Sequence, residues 1–539
     1  MSYWQIAASE EVSAGLHDRS PMYASLPIRL IAAAACLVVS TSVRAAETPR
    51  PNIVVFLVDD MGWQDTSVPF LYSGEKPVPT PSNHKFHTPN MERLAAEGMK
   101  FTDAYACPVC TPSRVSLMTG LNAARHRVTN WTFQKDTPTD GASGNLRLPM
   151  WNVNGLSLDP STPFSVHAPT VAQLLRDAGY RTIHAGKAHW GSYGTPGADP
   201  LHLGFDVNIG GHAAGQPGSY LGEENYEENY GKPNKSHLRS VPGLDSYHGT
   251  ETFLTEALTI EANKAVDQAL ADKKPFFLYM AHYAVHVPYA PDKRFFQKYL
   301  DAGLDRTEAM YAALIEGMDK SLGDILEHLE KLGVTSNTVV LFMSDNGGLA
   351  AHGRGGPPNT QNAPLSSGKG SAYEGGIREP MIVKWPGVVP PGAVCHRPVI
   401  IEDYFPSLLE IAGEQKRLQG VPHIDGVSFL PLLRQDADAA AADRPLFWHY
   451  PNSWGPKGPG IAAFSAIRDG NWKLIYYHDG PRYELFNVAE DIGEKNNLIE
   501  SEKAKAHELA AKLAAWLKAT DAQMPANKST GETVPLPEL

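Results

Sequence analysis

Cysteine is scarce in this chain: Cys36, Cys107, Cys110 and Cys395 are the four among 539 residues. Removing Cys36 with a leader would leave an odd number, which excludes a dense disulfide framework. Cys107-Pro108-Val109-Cys110 is formally a C-x-x-C, open to a redox pair or to half a zinc site. No second such motif or close Cys/His pair completes a zinc site. An excess of basic charge is also missing, with Lys+Arg at 47 against Asp+Glu at 59 and a net charge of −12. That balance argues against nucleic acid or an anionic membrane as a partner, and any polyanion must be met by a local cationic pocket. No apolar run is long enough for a stable membrane span, and neither internal repeats nor a long low-complexity linker interrupts the chain.

What remains has an ordinary globular balance, 42% hydrophobic and 20% charged, with length for one large core or a large and a smaller domain. Arg29 precedes a short apolar run over 30–39, and Val43-Arg44-Ala45 places small residues at the two specificity positions of a signal-peptidase site. Residues 1–45 are therefore expected to be a signal peptide, and the protein to be periplasmic or secreted. Residues 1–21 do not fit such a leader, which makes Met22 a candidate start. Ala33-Ala34-Ala35-Cys36 resembles a lipobox, but the apolar run before it is short and lipid anchoring is not expected.

Strands and helices alternate along most of the chain. Residues 53–58 (IVVFLV) form a β-rich apolar run of the kind buried on both faces. Thr88-Pro89 opens a helix that Gly98 ends, and Thr170 caps another, stopped at Gly179. Strands are expected over 181–185, 276–281 and 339–343, with helices over 252–271 and from Tyr311 to Leu329 at helical spacing. This alternation predicts an α/β fold: a large, mainly parallel or mixed sheet sandwiched by helices, over 46–440. Beyond, over 441–539, short strand-like runs separated by Asp469-Gly470-Asn471 and Asp479-Gly480 predict a smaller domain with a short antiparallel sheet and a final helix at 502–519.

Two acidic pairs sit at matching places. Asp59-Asp60 ends the first buried strand, and Asp345-Asn346 ends the strand over 339–343. Ligands of open α/β sheets bind beyond the carboxyl ends of strands. Four oxygen-bearing side chains from two strand ends suit a hard divalent cation, Ca²⁺ or Mg²⁺.

Cys110-Thr111-Pro112-Ser113-Arg114, followed by Leu117 and Thr119-Gly120, matches a C-x-P-S-R maturation signature. With these residues the chain resembles the type I, arylsulfatase-like sulfatases of the alkaline phosphatase superfamily. The resemblance implies that a formylglycine-generating enzyme oxidises Cys110, that the aldehyde hydrates, and that one geminal hydroxyl attacks sulfur while the other later expels sulfate. Locally, Thr111-Pro112 reads as a helix start, where free N–H groups favour an anion. Residue 110 joins the metal ligands Asp59, Asp60, Asp345 and Asn346, and Arg114, one turn on, can return toward it. Gly186-Lys187-Ala188-His189 resembles the family's G-K-x-H. Ala284-Val285-His286-Val287-Pro288 resembles its P-H-x-P, with valine at the first proline. Gly368-Lys369-Gly370 with Glu374-Gly375-Gly376-Ile377-Arg378 resembles its G-K-G…E-G-G-x-R. The family reading makes Lys187, His189, His286 and Lys369 catalytic, with either histidine as proton donor, and Glu374 and Arg378 a structural i,i+4 pair.

The polar segments 190–244 and 347–368 are expected to form the pocket rim, with His212, His352 and Arg354 as candidate substrate contacts. The expected reaction is hydrolysis of a sulfate ester, with a sulfated saccharide as partner, on galactose or N-acetylgalactosamine. A phosphonate monoester or phosphodiester hydrolase of the same superfamily is the nearest alternative. An inactive sulfated-glycan binding protein is a further one, but it would call for a lost Cys110 or metal ligand and a broad basic surface.

Overall fold

Alternate residues of the first strand, Asn52–Val58 (β1), belong to different cores. Ile53, Val55 and Leu57 join one buried cluster, and Val54, Phe56 and Val58 join the other. A strand apolar on both faces must have cover on both, and helices supply it here. The structure is a computed structural model that describes residues 50–233, 236–436, 444–480 and 482–539. The expected leader over 1–45 and the expected domain boundary at 440 lie outside the described residues.

β1 is central to a nine-stranded sheet. The strands met next along the chain are Met99–Tyr105 (β2), Arg181–Gly186 (β3), Val207–Ile209 (β4), Phe276–Ala281 (β5), Thr338–Ser344 (β6), Arg378–Lys384 (β7), Ala393–Cys395 (β8) and Val399–Ile400 (β9). Their order is β8-β2-β7-β6-β1-β5-β3-β4, with β9 beside β2. β1 pairs in parallel with β5 and β6, and β3 with β5 and β4. β7 runs antiparallel to both its neighbours, β6 and β2, and this one reversal makes the mainly parallel sheet a mixed one. The helix Pro89–Glu97 (α1) begins beyond Thr88 as its Thr-Pro start predicts. Val171–Asp177 (α3) has Thr170 as its cap, Oγ1 accepting from the Gln173 N–H. Leu254–Ala271 (α4) and Arg306–Lys331 (α5) pack on each other over the core that holds Val54, Phe56 and Val58. The helix Cys110–Thr119 (α2) lies among them in chain order, on the other core.

The C-terminal strands Leu446–Tyr450 (β10), Phe464–Asp469 (β11), Trp472–Tyr477 (β12) and Arg482–Asn487 (β13) form a four-stranded antiparallel sheet. Leu509, Leu513 and Leu517 of the final helix, Lys503–Ala519 (α6), cover one face with Ile467, Leu474 and Leu485. The other face carries Trp448, Ala466 and Ile475 into the core that also holds β2 and α2. Residues 49–539 accordingly form one compact unit.

Polar contacts reinforce this join. Trp448 Nε1 donates to the Ala106 carbonyl at 2.9 Å, and Arg468 and Arg378 both reach Asp103 at 2.8 Å. Lys473 of β12 lies fully buried between Glu374, at 2.9 Å, and Glu494, at 2.7 Å. Glu374 also pairs with Arg378 at 2.8 Å, the i,i+4 contact its spacing suggests. Burial works to raise the Glu374 carboxyl, but Lys473 and Arg378 outweigh it and bring it down to about 2. Removing the central cation would leave Glu494 buried without its cation and Glu374 with Arg378 alone as its close ion-pair partner. Lys473→Met is expected to cost about 3–5 kcal/mol, read as a large fall in melting temperature; a variant melting within a degree or two of wild type would refute the assignment of the two sheets as electrostatically joined.

Candidate active site

Every strand of the central group ends its parallel run at the same edge, and the chain places polar residues just past each end. Asp59 and Asp60 follow β1, Lys187 and His189 follow β3, His286 follows β5, and Asp345 and Asn346 follow β6. β2 leads through Cys107 into α2, whose first residue is Cys110. β7 runs the other way, so its beginning lies at this edge and brings Lys369 there from the preceding loop.

Two segments hold their shape through locally constrained backbone. Asp60 and His189 both adopt positive φ, 62° and 56°, a region costly for side-chain-bearing residues and concentrated at functional sites. Gly186, with φ +99°, lets the chain cross β5 so closely that a Cβ would sit 1.9 Å from the Ala281 oxygen. That same oxygen accepts from the Lys187 N–H at 2.6 Å. Within α2, Ser113 Oγ accepts from the Cys107 N–H at 2.9 Å, tying the approach to the helix. Thr111 Oγ1 accepts from the Thr132 N–H at 3.2 Å, and the Thr132 carbonyl lies 2.9 Å from His189 Nε2. The helix that carries Cys110 thus also positions His189.

The centre is a buried cluster of three carboxyl groups and three cations. Lys187 Nζ lies 2.6 Å from Asp59 Oδ2, and Lys369 Nζ lies 2.6 Å from Asp60 Oδ1 and 3.2 Å from Cys110 Sγ. Arg114 reaches Asp345 Oδ2 at 2.8 Å and donates to the Lys187 carbonyl at 2.9 Å. Cys110 Sγ is 3.5 Å from Asp59 Oδ1, and His286 Nε2 is 3.6 Å from Asp60 Oδ2. Burial, with Asp345 and Asp60 close by, pushes Asp59 up to about 7 despite Lys187. Burial pushes Asp60 the same way, but Lys369 and His286 prevail and hold it below the usual carboxylate range. Burial lifts the Cys110 thiol to about 12, with Lys187 and Lys369 opposing, so an unmodified thiol here is protonated at neutral pH.

The donor set fits a hard cation. Ligand atoms of Asp59, Asp60, Asp345 and Cys110 lie within 4.8 Å of one another. Asn346 Nδ2 donates to Asp60 Oδ1 at 2.8 Å, and this leaves Asn346 Oδ1 and Asp60 Oδ2 buried with no hydrogen-bond partner. Orphaned buried acceptors are costly, and a divalent ion among them would satisfy both. Cys107, Cys110 and Cys395 are all free, and Cys107 is buried in the core.

Above this centre a pocket of about 290 Å³ opens, with Cys110, Lys369, His189 and His286 at its polar end. Of the three expected substrate contacts, His352 lines the pocket. His212 and Arg354 do not belong to its lining: His212 is buried with Nδ1 2.5 Å from Tyr193 Oη, and Arg354 is buried against Glu308 at 2.7 Å and Asp65 at 3.3 Å. Trp131, Phe133, Arg239 and Trp454 line it instead and were not singled out from the sequence. They are isolated aromatic and basic residues in irregular segments, without a motif or period to mark them; only Arg239 falls in the loop expected to form the rim.

A buried cluster of cations and carboxyl groups at a sheet edge, beside the start of α2, could receive a tetrahedral oxyanion. The sulfatase family model matches residues 51–414, and a second model, N-sulphoglucosamine sulphohydrolase, C-terminal, matches residues 368–523. A sulfatase of Formosa agariphila is 30% identical over 93% of this chain and 95% of its own length. Mouse N-acetylgalactosamine-6-sulfatase is 34% identical over 76% of this chain and 71% of its own. The crystal structure of Ps i-CgsB in complex with k-i-k-neocarrahexaose superposes with a TM-score of 0.67 at 27% identity, covering 90% of this chain and 95% of that one. The chain belongs to the sulfatase family, within the alkaline phosphatase superfamily, and is a sulfuric ester hydrolase. Among the described residues no helix is long and apolar enough to cross a membrane.

Gly186→Ala tests the local frame, since a methyl group has no room against the Ala281 carbonyl and φ is positive. The expected result is a loss of ~1–3 kcal/mol or more in stability, with sulfate-ester turnover falling as Lys187 shifts. Unchanged melting and turnover would show that this crossing does not set the position of Lys187.

Proposed function

We propose that Cys110 is converted to formylglycine and that the hydrated residue is the nucleophile for hydrolysis of a carbohydrate sulfate at a Ca²⁺ or Mg²⁺ site. The observation that carries the reading is the placement of Cys110 at the first turn of α2, 3.2 Å from Lys369 Nζ and 3.5 Å from Asp59 Oδ1. A thiol held protonated by burial is a poor nucleophile, so an oxygen nucleophile at this position suits the surroundings better. Asp59, Asp60, Asp345 and Asn346 would hold the metal, with residue 110 as a further ligand. When bound, that ion supplies Lewis acidity toward a sulfate oxygen and toward the nucleophilic hydroxyl.

The protein's own groups do the rest. Lys187 and Lys369 hold positive charge where the sulfuryl oxygens develop charge, in a site shielded from water. Arg114 holds Asp345 in place through its contact at 2.8 Å. His189 Nε2 donates to the Thr132 carbonyl, so Nδ1, buried and without a partner, is the acceptor atom of the neutral ring. His286 Nδ1 donates to the Val287 carbonyl at 2.8 Å, which leaves Nε2 as the acceptor next to Asp60. Burial lowers His189 well below its ordinary value, and lowers His286 to about 3 with Asp60 opposing. Either ring therefore gives a proton to the leaving alcohol only after first taking one, for example from the attacking hydroxyl.

Similarity to mouse N-acetylgalactosamine-6-sulfatase and to a structure that holds a neocarrahexaose supports a galactose- or N-acetylgalactosamine-type sulfated saccharide. The aromatic pocket walls agree with a sugar ring. Export to the periplasm or the medium, following the leader expected over 1–45, would place the enzyme with such polymers. A formylglycine-generating enzyme would be its maturation partner.

Mass spectrometry of the tryptic peptide holding residue 110, from protein made in its native host, is expected to show a loss of about 18 Da relative to cysteine. An unmodified cysteine in an active enzyme would overturn the nucleophile. Chelation of the matured protein is expected to abolish turnover of a saccharide sulfate and lower the melting temperature, with both restored by Ca²⁺ or Mg²⁺. Full activity in excess chelator would remove the metal from the reading.

A further inference from the structure

The pocket is charged at its floor and aromatic above it, with one cation that the sulfuryl centre does not use. Arg239 lines the pocket and comes from the long loop between β4 and α4. Its guanidinium lies over the Phe133 ring, 5.1 Å from the centroid, and Phe133 packs edge-on against Tyr193 at 5.8 Å. Arg239 Nη1 donates to Glu228 Oε1 at 2.6 Å, and its backbone N–H donates to Glu228 Oε2 at 3.3 Å. Tyr193 Oη also donates to the carbonyl of Leu238, the residue before Arg239. The arginine is thus fixed by a stacked ring, a carboxylate and a clamped backbone, while about one third of its side chain stays exposed. A guanidinium has five donors, and pre-ordering it lowers the entropy lost on binding.

The neighbouring walls fit a sugar. Trp131 lies 6.5 Å from Phe133, centroid to centroid. Trp454, from the C-terminal region, is seated against Gly370, where a Cβ would meet its ring at 2.4 Å. It therefore stands next to Lys369, beside the position of the scissile group, and His352 packs on it at 5.7 Å. Aromatic faces take the apolar face of a pyranose, and a forked cation at the same pocket takes a planar or tetrahedral anion.

We propose that Arg239 reads a second anionic group on the saccharide, a sulfate or a uronate carboxylate other than the sulfate being removed. The protein selects multiply charged saccharides through it. This rests on the carbohydrate sulfatase reading above. Glu228 sets the guanidinium plane, Phe133 supports it, and the second anion of the substrate binds the donors that Glu228 does not take.

The test compares kcat/KM for three probes on matured wild type, Arg239→Ala and Arg239→Lys: N-acetylgalactosamine 6-sulfate, N-acetylgalactosamine 4,6-disulfate, and a glucuronate–N-acetylgalactosamine 6-sulfate disaccharide. A charge-assisted hydrogen bond is worth about 1.5–3 kcal/mol, so Arg239→Ala is expected to lower the ratio of dianionic to monoanionic turnover by roughly 10- to 100-fold. Arg239→Lys, which keeps the charge but not the fork, is expected to lower it by a smaller factor. A change in ratio confined to the disulfate identifies the second anion as sulfate, and one confined to the disaccharide identifies it as carboxylate. Equal losses on all three probes, or no loss in either variant, overturn the inference while leaving the sulfatase reading intact. Wild type that turns over an aryl sulfate but none of the three saccharides overturns the saccharide reading and the inference with it.

Discussion

Three carboxyl groups buried within a few ångströms of each other cannot stand without positive charge among them, and the rest of the molecule is arranged to deliver it. Asp59, Asp60 and Asp345 are fully buried, and Arg114, Lys187 and Lys369 approach them from three separate parts of the chain. Each such pair is of uncertain net worth to stability, because desolvation offsets much of the attraction. Under the proposed function their joint value lies in offering a sulfuryl group fixed charges that need no reorganisation.

The sheet topology makes this convergence feasible. Parallel strands gather their carboxyl ends at one edge, so residues distant in sequence become neighbours just beyond β1, β3, β5 and β6. The reversed strand β7 adds to the same edge by its beginning rather than its end. The tight Glu374–Ile377 turn of helix before it is anchored through Glu374 to Arg378 and Lys473. Those contacts couple the loop of Lys369 to the C-terminal sheet. That sheet also reaches the candidate site, because Trp454 follows β10 and forms a wall of the pocket. The small antiparallel sheet is joined to the larger one through a shared core.

Much of this was legible in the sequence. The run IVVFLV is β1 with one added residue, 276–281 is β5, and the helices behind Thr88 and Thr170 begin where their caps place them. β2 and β7 were not expected. Each mixes charged residues into its run, as in Arg378-Glu379 and Lys100, so neither reads as a continuous apolar strand. Arg378 is tolerated because it meets Asp103 and Glu374, which no local pattern reveals, and Lys100 donates to the Pro69 carbonyl, whereas Glu379 lies buried with neither carboxyl oxygen hydrogen-bonded. Arg354 shows the converse: a polar loop residue with the look of a substrate contact turns inward to a buried ion pair with Glu308.

By itself, then, the sequence determined the family and most of the central strands and helices, and it marked residues that the fold gathers at one sheet edge. Strand runs, caps and the Cys110–Arg114 signature are short-range patterns whose physical meaning is local. Only the tertiary structure decided what surrounds that edge: which tautomer His189 presents, that Asp60 Oδ2 and Asn346 Oδ1 lie buried with no hydrogen-bond partner, and that Trp131, Arg239 and Trp454 share one pocket. These depend on contacts between segments from 57 to more than 280 residues apart, and such contacts are fixed by sheet order and core packing rather than by any spacing along the chain.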